Sequence, residues 1–311
     1  MEHRALFRRG RLSRPAYPNV NGLPVTPRIA SLLFDGFAYG MLLFVLSVGL
    51  SVTLGMMNFV NLAHGSFAMI GGYTTVTLMR SWDWPFFATL PVAFLMAAAM
   101  AVVLERIVYR RLYGASDLDQ ALLTIGIVFM SIASAAYIFG TTQQPIEMPA
   151  YIRGRVEIGD FSFGVYRIFL VCAALVITAV LVLGLDYTRF GARIRAAVDN
   201  QRMARGLGIN VDWIFAVTFA IGSGLAGLGG ALAIEVVGLD PNFALKYLVF
   251  MLIVVAVGGM ASIRGAFITA AMLGIIDMFS KYYVPEVGAF VLYAVMVGLL
   301  VWRPAGLFAR R

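Results

Sequence analysis

Charge is scarce in this chain: Asp, Glu, Lys and Arg together make up 13% of its 311 residues, about half the share usual in a water-soluble domain. That scarcity excludes a soluble globular fold, because 61% of the residues are apolar or aromatic and too few charges remain to coat a water-facing surface. Cysteine occurs once, as Cys172, which rules out an internal disulfide framework and a cysteine-based zinc site. The two histidines, His3 and His64, are too few for a histidine-rich metal site, so no metal or other cofactor is expected. Lysine is found at Lys246 and Lys281 alone. Neither sits in the glycine-rich context of a phosphate-binding loop, so the chain is not expected to hydrolyse ATP by itself. No nucleophile, base and orienting group stand at a recognisable spacing, which makes an intramembrane enzyme the weakest reading. The net charge of +8 is not arranged as a stripe with interleaved aromatics, so nucleic acid is not an expected partner.

What the chain has instead is long apolar runs. Crossing a bilayer takes about 20 helical residues, and runs of suitable length lie at 29–56, 86–105, 118–139, 166–185, 213–236, 245–260, 265–283 and 287–302. The expected fold is therefore an all-α polytopic membrane protein of about eight transmembrane helices. A ninth stretch, near 56–79, is apolar late but opens on Asn58, Asn61, His64 and Ser66 and contains Gly71 and Gly72. Treated as a re-entrant or broken element, it leaves 18 of the 24 basic residues on one face; as a full crossing it splits them 12 to 12. Basic residues concentrate on the cytoplasmic side, so the first arrangement is favoured, with both termini cytoplasmic and an ordinary ninth helix as the alternative. Residues 1–28 carry six arginines against one acid and are expected to form a disordered basic tail, not a removable signal peptide. The transmembrane domain then covers 29–311. An external loop spans 140–165, holding either a short hairpin or an interfacial helix, and a cytoplasmic loop spans 186–212.

Three groups of residues invite a functional reading. Irregular backbone at membrane depth is tolerated where it lines a cavity, which makes Asn58, Asn61, His64 and Ser66 candidates for contact with a polar solute. Asp277 lies deep in its run, one helical turn before Lys281, and is either a pathway residue or half of a structural ion pair. The loop around 187–210 alternates Arg193, Arg195, Asp199, Asn200, Arg202 and Arg205 with apolar residues. Such an amphipathic helix suits either the lipid headgroup region or a groove on a cytoplasmic partner. Small residues repeat every four positions through Gly222, Ala226 and Gly230, and through Ser223, Gly227 and Ala231, giving a flat face for close helix packing. Gly36 and Gly40 fit the same logic. His64-Gly65-Ser66-Phe67 also echoes Arg264-Gly265-Ala266-Phe267.

Four motifs in order add a family resemblance. The run from Gly55 through Met56-Met57-Asn58-Phe59-Val60-Asn61-Leu62-Ala63-His64-Gly65, followed by Met69-Ile70-Gly71, resembles the N-terminal signature of permease subunits of branched-chain amino-acid ABC importers. Arg195-Ala196-Ala197, Asp199-Asn200, Met203-Ala204 and Leu207-Gly208-Ile209-Asn210 resemble that family's coupling loop. Gly258-Gly259, Ser262-Ile263 and Gly265-Ala266 resemble its late glycine motif, and Arg303-Pro304-Ala305-Gly306-Leu307-Phe308 its C-terminal ending. The resemblance covers about residues 30 to 308. It implies a multi-pass subunit of the bacterial inner membrane whose fuel is supplied by ATP-binding subunits. A second related permease, an external solute-binding protein and the surrounding lipid are the other implied partners. It further implies that Arg193, Arg195, Ala196, Ala197, Asp199, Asn200, Ala204 and Gly208 couple the chain to the ATPases, and it strengthens Asp277 as a functional residue. Ser66, Ala261 and Arg264 depart from the family pattern, which leaves the solute open among branched-chain amino acids, other amino acids, urea and amides. The alternative of another class is a stand-alone ion-coupled carrier or channel titrating at Asp277 and His64.

Overall fold

A computed structural model describes residues 25–308 apart from 58, 60, 113, 145, 160, 261, 304 and 305. Its helices are α1 (Val25–Met57), α2 (His64–Trp82), α3 (Phe86–Ile107), α4 (Asp117–Phe139), α5 (Val165–Tyr187), α6 (Arg189–Asp199), α7 (Gln201–Gly206), α8 (Val211–Val237), α9 (Phe243–Gly258), α10 (Ile263–Tyr283) and α11 (Gly288–Trp302). A 3-10 turn, Tyr109–Leu112, joins α3 to α4, and two strands, β1 (Arg155–Ile158) and β2 (Phe161–Gly164), precede α5. All eight apolar runs are helical, and the 140–165 segment holds a hairpin, with Val156 opposite Phe163 in antiparallel register.

Several helices start where a side chain satisfies a free amide. Ser116 accepts from the Asp119 amide at the head of α4, Asn210 from Trp213 at α8, and Ser262 from Gly265 at α10. Gly140 and Gly238 follow α4 and α8 at φ of 83° and 71°, a region in which a side chain is strained.

Among the described residues six helices are long and apolar enough to cross a membrane: α1, α3, α4, α5, α8 and α10. Five of them divide into two layers, with α10 between at 44% buried. The apolar windows of α1 and α8 are 83% and 78% buried, whereas those of α3, α4 and α5 are 22%, 17% and 22% buried. The outer helices therefore turn Leu95, Met130 and Val180 outward, as suits a chain whose surroundings are hydrocarbon.

Glycine decides how the inner layer closes. A Cβ at Gly222 of α8 would stand 2.8 Å from the Gly49 carbonyl oxygen of α1, and one at Gly227 would stand 2.9 Å from the Ala93 oxygen of α3. Gly71 of α2 meets the Gly227 backbone, and Gly230 meets that of Ala68. On the other flank a Cβ at Gly40 would approach the Ala270 oxygen of α10 to 2.5 Å, and one at Gly36 the Ile275 Cα to 2.8 Å. The small-residue face of α8 is thus a packing surface for three helices.

The bundle has a hairpin end and an α6–α7 end. The early part of α1 lies at the hairpin end, where Phe34 packs edge-on to Phe163 and Asp35 pairs with Arg167. α1 also contacts α6. Leu307 donates its amide to the Val257 carbonyl at the end of α9 remote from the hairpin. Two expectations need correction here. The 56–79 stretch is broken, because α1 stops at Met57 and α2 starts at His64, but it is not re-entrant. α2 is one continuous helix whose Arg80 bonds Gln144 at the hairpin end. The ends of the described chain consequently lie at opposite ends of the bundle, not on one face. The physical reason is that the polar start of α2 finds its partners inside the protein, so nothing compels the helix to turn back to water. The tail expected over 1–28 lies outside the described residues up to 24, and 25–28 already belong to α1.

Substituting Gly71 with valine should cost about 1–3 kcal/mol through overpacking against the Gly227 backbone. Gly126→Ala, where a Cβ meets nothing within 4 Å, should be silent. Thermal unfolding in detergent compares the two, and equal melting temperatures would contradict this packing.

Candidate functional site

The break between α1 and α2 is built from side chains that replace missing backbone bonds. Asn61 Oδ1 accepts the Ala63 amide at 3.1 Å, and Thr124 Oγ1 of α4 accepts the Leu62 amide at 3.2 Å. Tyr109 of the 3-10 turn donates its hydroxyl to Asn61 Oδ1 at 3.5 Å. Its ring also stacks edge-on with Phe59 and Phe219. His64 donates from Nε2 to the Leu46 carbonyl of α1 at 3.2 Å, while its Nδ1 has no partner among the described residues. The hydroxyls of Ser66 and Ser131 lie 2.7 Å apart, joining α2 to α4. Asn61, His64 and Ser66, all buried, thus fasten α1, α2, α4 and the 3-10 turn at one junction. Asn58 lies outside the described residues. A further contact, of Gly65 with the Ala244 backbone, brings the first turn of α9 to the same place.

At the α6–α7 end, the expected single amphipathic helix is two, interrupted at Asn200, whose side chain caps α7 by accepting the Met203 amide at 3.0 Å. Gly208 follows at φ 79°. Ala197 and Ala204 are buried against the bundle and Gly191 abuts the Leu185 backbone. Ala196 is half-buried, and Arg195 bonds the Leu185 carbonyl. Arg193 and Asp199 are exposed, as are Val198, Met203 and Leu207, the last two at 67% and 78%. An element that buries alanines and shows water three large apolar side chains beside arginines is shaped for contact on its outer face.

This end is clamped by residues that the sequence reading did not combine. Asp212 in the first turn of α8 takes Arg205 of α7 on one carboxylate oxygen at 2.9 Å and Arg110 of the 3-10 turn on the other at 2.8 Å. An acid beside a helix N-terminus is favoured by the helix dipole, and the basic residues ahead of it were visible. Only the fold shows that they converge.

Asp277 stands at the opposite end. Its carboxylate binds Lys281 Nζ at 2.6 Å, with side-chain exposures of 4% for Asp277 and 42% for Lys281. Asp277 lines a 540 Å³ cavity between the hairpin and α8, α9 and α10, together with Glu235, Lys246, Arg153, Arg167 and Tyr166. Arg167 is held by Asp35 of α1, and the Tyr166 hydroxyl donates to the Leu232 carbonyl at 2.7 Å. Asp35 was a missed signal, as an acid within an apolar run.

Comparison with known proteins identifies the chain's relatives. A family model described as the permease component of a branched-chain amino acid transport system matches residues 32–300. The high-affinity branched-chain amino acid transport system permease protein LivH of Escherichia coli K12 is 28% identical over 294 residues, covering 89% of this chain and 94% of the relative. BraD of Pseudomonas aeruginosa, named for the same kind of permease, is 25% identical over 299 residues, with 89% and 95% covered. LivM of Escherichia coli K12, another permease protein so named, is 29% identical over 293 residues, 86% of this chain and 68% of the relative. No solved structure matches the chain significantly.

Removing Lys281 alone should be worse than removing the pair. Lys281→Met leaves the buried Asp277 carboxylate uncompensated and should cost about 1–3 kcal/mol, whereas Lys281→Met with Asp277→Asn should recover most of that loss. Thermal unfolding of the two variants in detergent reads the difference; additive losses would contradict the ion pair.

Proposed function

The chain belongs to the family of permease components of branched-chain amino acid transport systems, and from that membership we propose that it is one transmembrane half of an ATP-driven importer. Its solutes in this reading are branched-chain or related amino acids, and it makes and breaks no bonds itself. ATP-binding subunits dock on α6 and α7 at the cytoplasmic face. A permease of the same family completes the passage, and an external solute-binding protein delivers to the hairpin end. LivM, a relative named as a permease of the same kind of system, supports the pairing of two related chains.

The observation that carries the reading is the outer face of α6 and α7, where Val198, Met203 and Leu207 stand exposed among arginines while Ala197 and Ala204 anchor the element to the bundle. Such a surface fits a cleft on a protein better than it fits water. Orientation follows from it, with the α6–α7 end cytoplasmic and the hairpin end external. Charge tallies do not decide the matter, because the tail precedes a helix that begins at the hairpin end, which restores the even division of basic residues.

A mechanical route follows the contacts. Closure of the ATPases moves α6 and α7; Arg205 carries the displacement to Asp212, and Arg110 passes it to the 3-10 turn. Tyr109 and Asn61 deliver it to the break before α2. At that break α1, α2, α4 and α9 meet without continuous helix, so a shift there moves the 3-10 turn and α4 against the glycine-packed α1, α2 and α8 and exchanges access between the two faces. The stand-alone carrier fares worse. Of its titrating groups, Asp277 is held by Lys281, and His64 turns its Nε2 to the Leu46 carbonyl.

Reconstituting the chain with its ATP-binding, permease and solute-binding partners tests the proposal. Leucine should enter vesicles only with ATP inside the ATPase-facing compartment. Ala197→Trp should abolish uptake by unseating α6. Asp212→Ala, which removes the bonds to both Arg205 and Arg110, should lower uptake about tenfold, while ATP hydrolysis persists. Uptake by the chain alone on a proton gradient would overturn the reading.

A further inference from the structure

The cavity at the hairpin end carries more charge than its internal ion pairs consume. Asp35 occupies Arg167, Asp277 occupies Lys281, and Arg155 is tied to Ser162 by bonds of 2.7 and 3.0 Å. Glu235, in the last turn of α8, and Lys246, in the first turn of α9, are exposed and make no hydrogen bond or ion pair among the described residues, although Glu235 feels the charge of Arg153 and Lys246 Nζ lies 5.6 Å from the centre of the Tyr247 ring. Arg153 approaches Glu147, a carboxylate that is 95% exposed, at 3.9 Å, and its charge also acts on Glu235. One anion, Glu235, and three cations, Lys246, Arg153 and Arg155, whose bonds to Ser162 leave its charge in place, thus face a shared space, beside apolar wall contributed by Ile152, Val236 and Met278. Its 540 Å³ falls in the usual range for small-molecule sites.

We propose that this cavity receives the zwitterionic head group of a free amino acid entering from outside, with Glu235 taking the ammonium and Lys246 and Arg153 the carboxylate. The inference rests on the permease reading above. A pocket for a plain anion, or for an acidic knob of a docking protein, has no use for a carboxylate within it, since a like charge placed against the guest is repulsive. Both signs together suit a guest that carries both, and the apolar wall suits an aliphatic side chain. Occupation also has a structural consequence. Glu235 and Lys246 flank the turn at Gly238 between α8 and α9, so a zwitterion bridging them draws the two helices together. The first turn of α9 touches Gly65 at the head of α2, which links the filled cavity to the break.

The test uses the complete importer in vesicles, with leucine-loaded binding protein outside and ATP available to the ATPases. Glu235→Gln and Lys246→Gln should each lower leucine uptake at saturating binding protein about tenfold, while the binding-protein concentration for half-maximal uptake stays within about twofold. Glu235→Asp, which keeps the charge, should restore most of the rate. Basal ATP hydrolysis by each assembly confirms that it has formed. Uptake at the wild-type rate in both Gln variants overturns the proposal. So does a wild-type saturated rate reached only at higher, salt-sensitive concentrations of binding protein, which marks the cavity as a docking surface. Absence of ATP-dependent uptake by the wild-type importer is a separate outcome that overturns the permease reading itself.

Discussion

Where α8 meets α1 and α2, backbone touches backbone. Gly222 faces Gly49, Gly227 faces Gly71, and Gly230 faces Ala68, at separations that no side chain tolerates. In hydrocarbon there is no hydrophobic force to drive helices together, so association rests on such close van der Waals fit. The inner layer of α1 and α8 therefore behaves as a column, buried along most of its length, around which the less buried α3, α4 and α5 are arranged. Everything that distinguishes one end of the molecule from the other is attached to that column. α8 begins at the Asp212 clamp and ends two residues beyond Glu235.

A rigid column needs a compliant neighbour if the protein is to change shape, and the break before α2 supplies it. In place of helical ladders, two of its backbone amides are satisfied by single side-chain bonds, to Asn61 and Thr124, and Tyr109 holds the Asn61 side chain in turn. Bonds of that kind exchange at modest free-energy cost, whereas interdigitated glycine faces do not slide without clashes. The Nδ1 of His64, which has no partner among the described residues, sits at this same junction.

Much of the fold was legible because membrane helices announce themselves by length and apolarity. All eight runs are helices in the structure, the stripe through Gly222, Ala226 and Gly230 is a packing face, and Asp277 pairs with Lys281 as their spacing suggested. Illegible features were those that depend on convergence from distant parts of the chain. The polar start of α2 looked like a reason to turn back because its partners, Leu46, Tyr109, Thr124 and Ser131, belong to other elements. Asn200 looked like part of one amphipathic helix because a capping side chain and a helical one have the same composition. Glu235 passed unnoticed at the end of an apolar run, since its meaning arises only when Lys246 and Arg153 come to the same cavity. The candidate sites share this pattern: their residue types were visible, their groupings were not.

The central claim is that the α6–α7 face is an inward lever held by a partner, with the hairpin on the other side of the membrane. Impermeant maleimide labelling tests it most directly. In a Cys172→Ala background, Met203→Cys should react only from the cytoplasmic side and lose that reactivity when the ATP-binding subunits assemble, while Ser162→Cys should react only from outside. Reaction of Met203→Cys from the exterior, or undiminished reaction in the full assembly, would contradict the account.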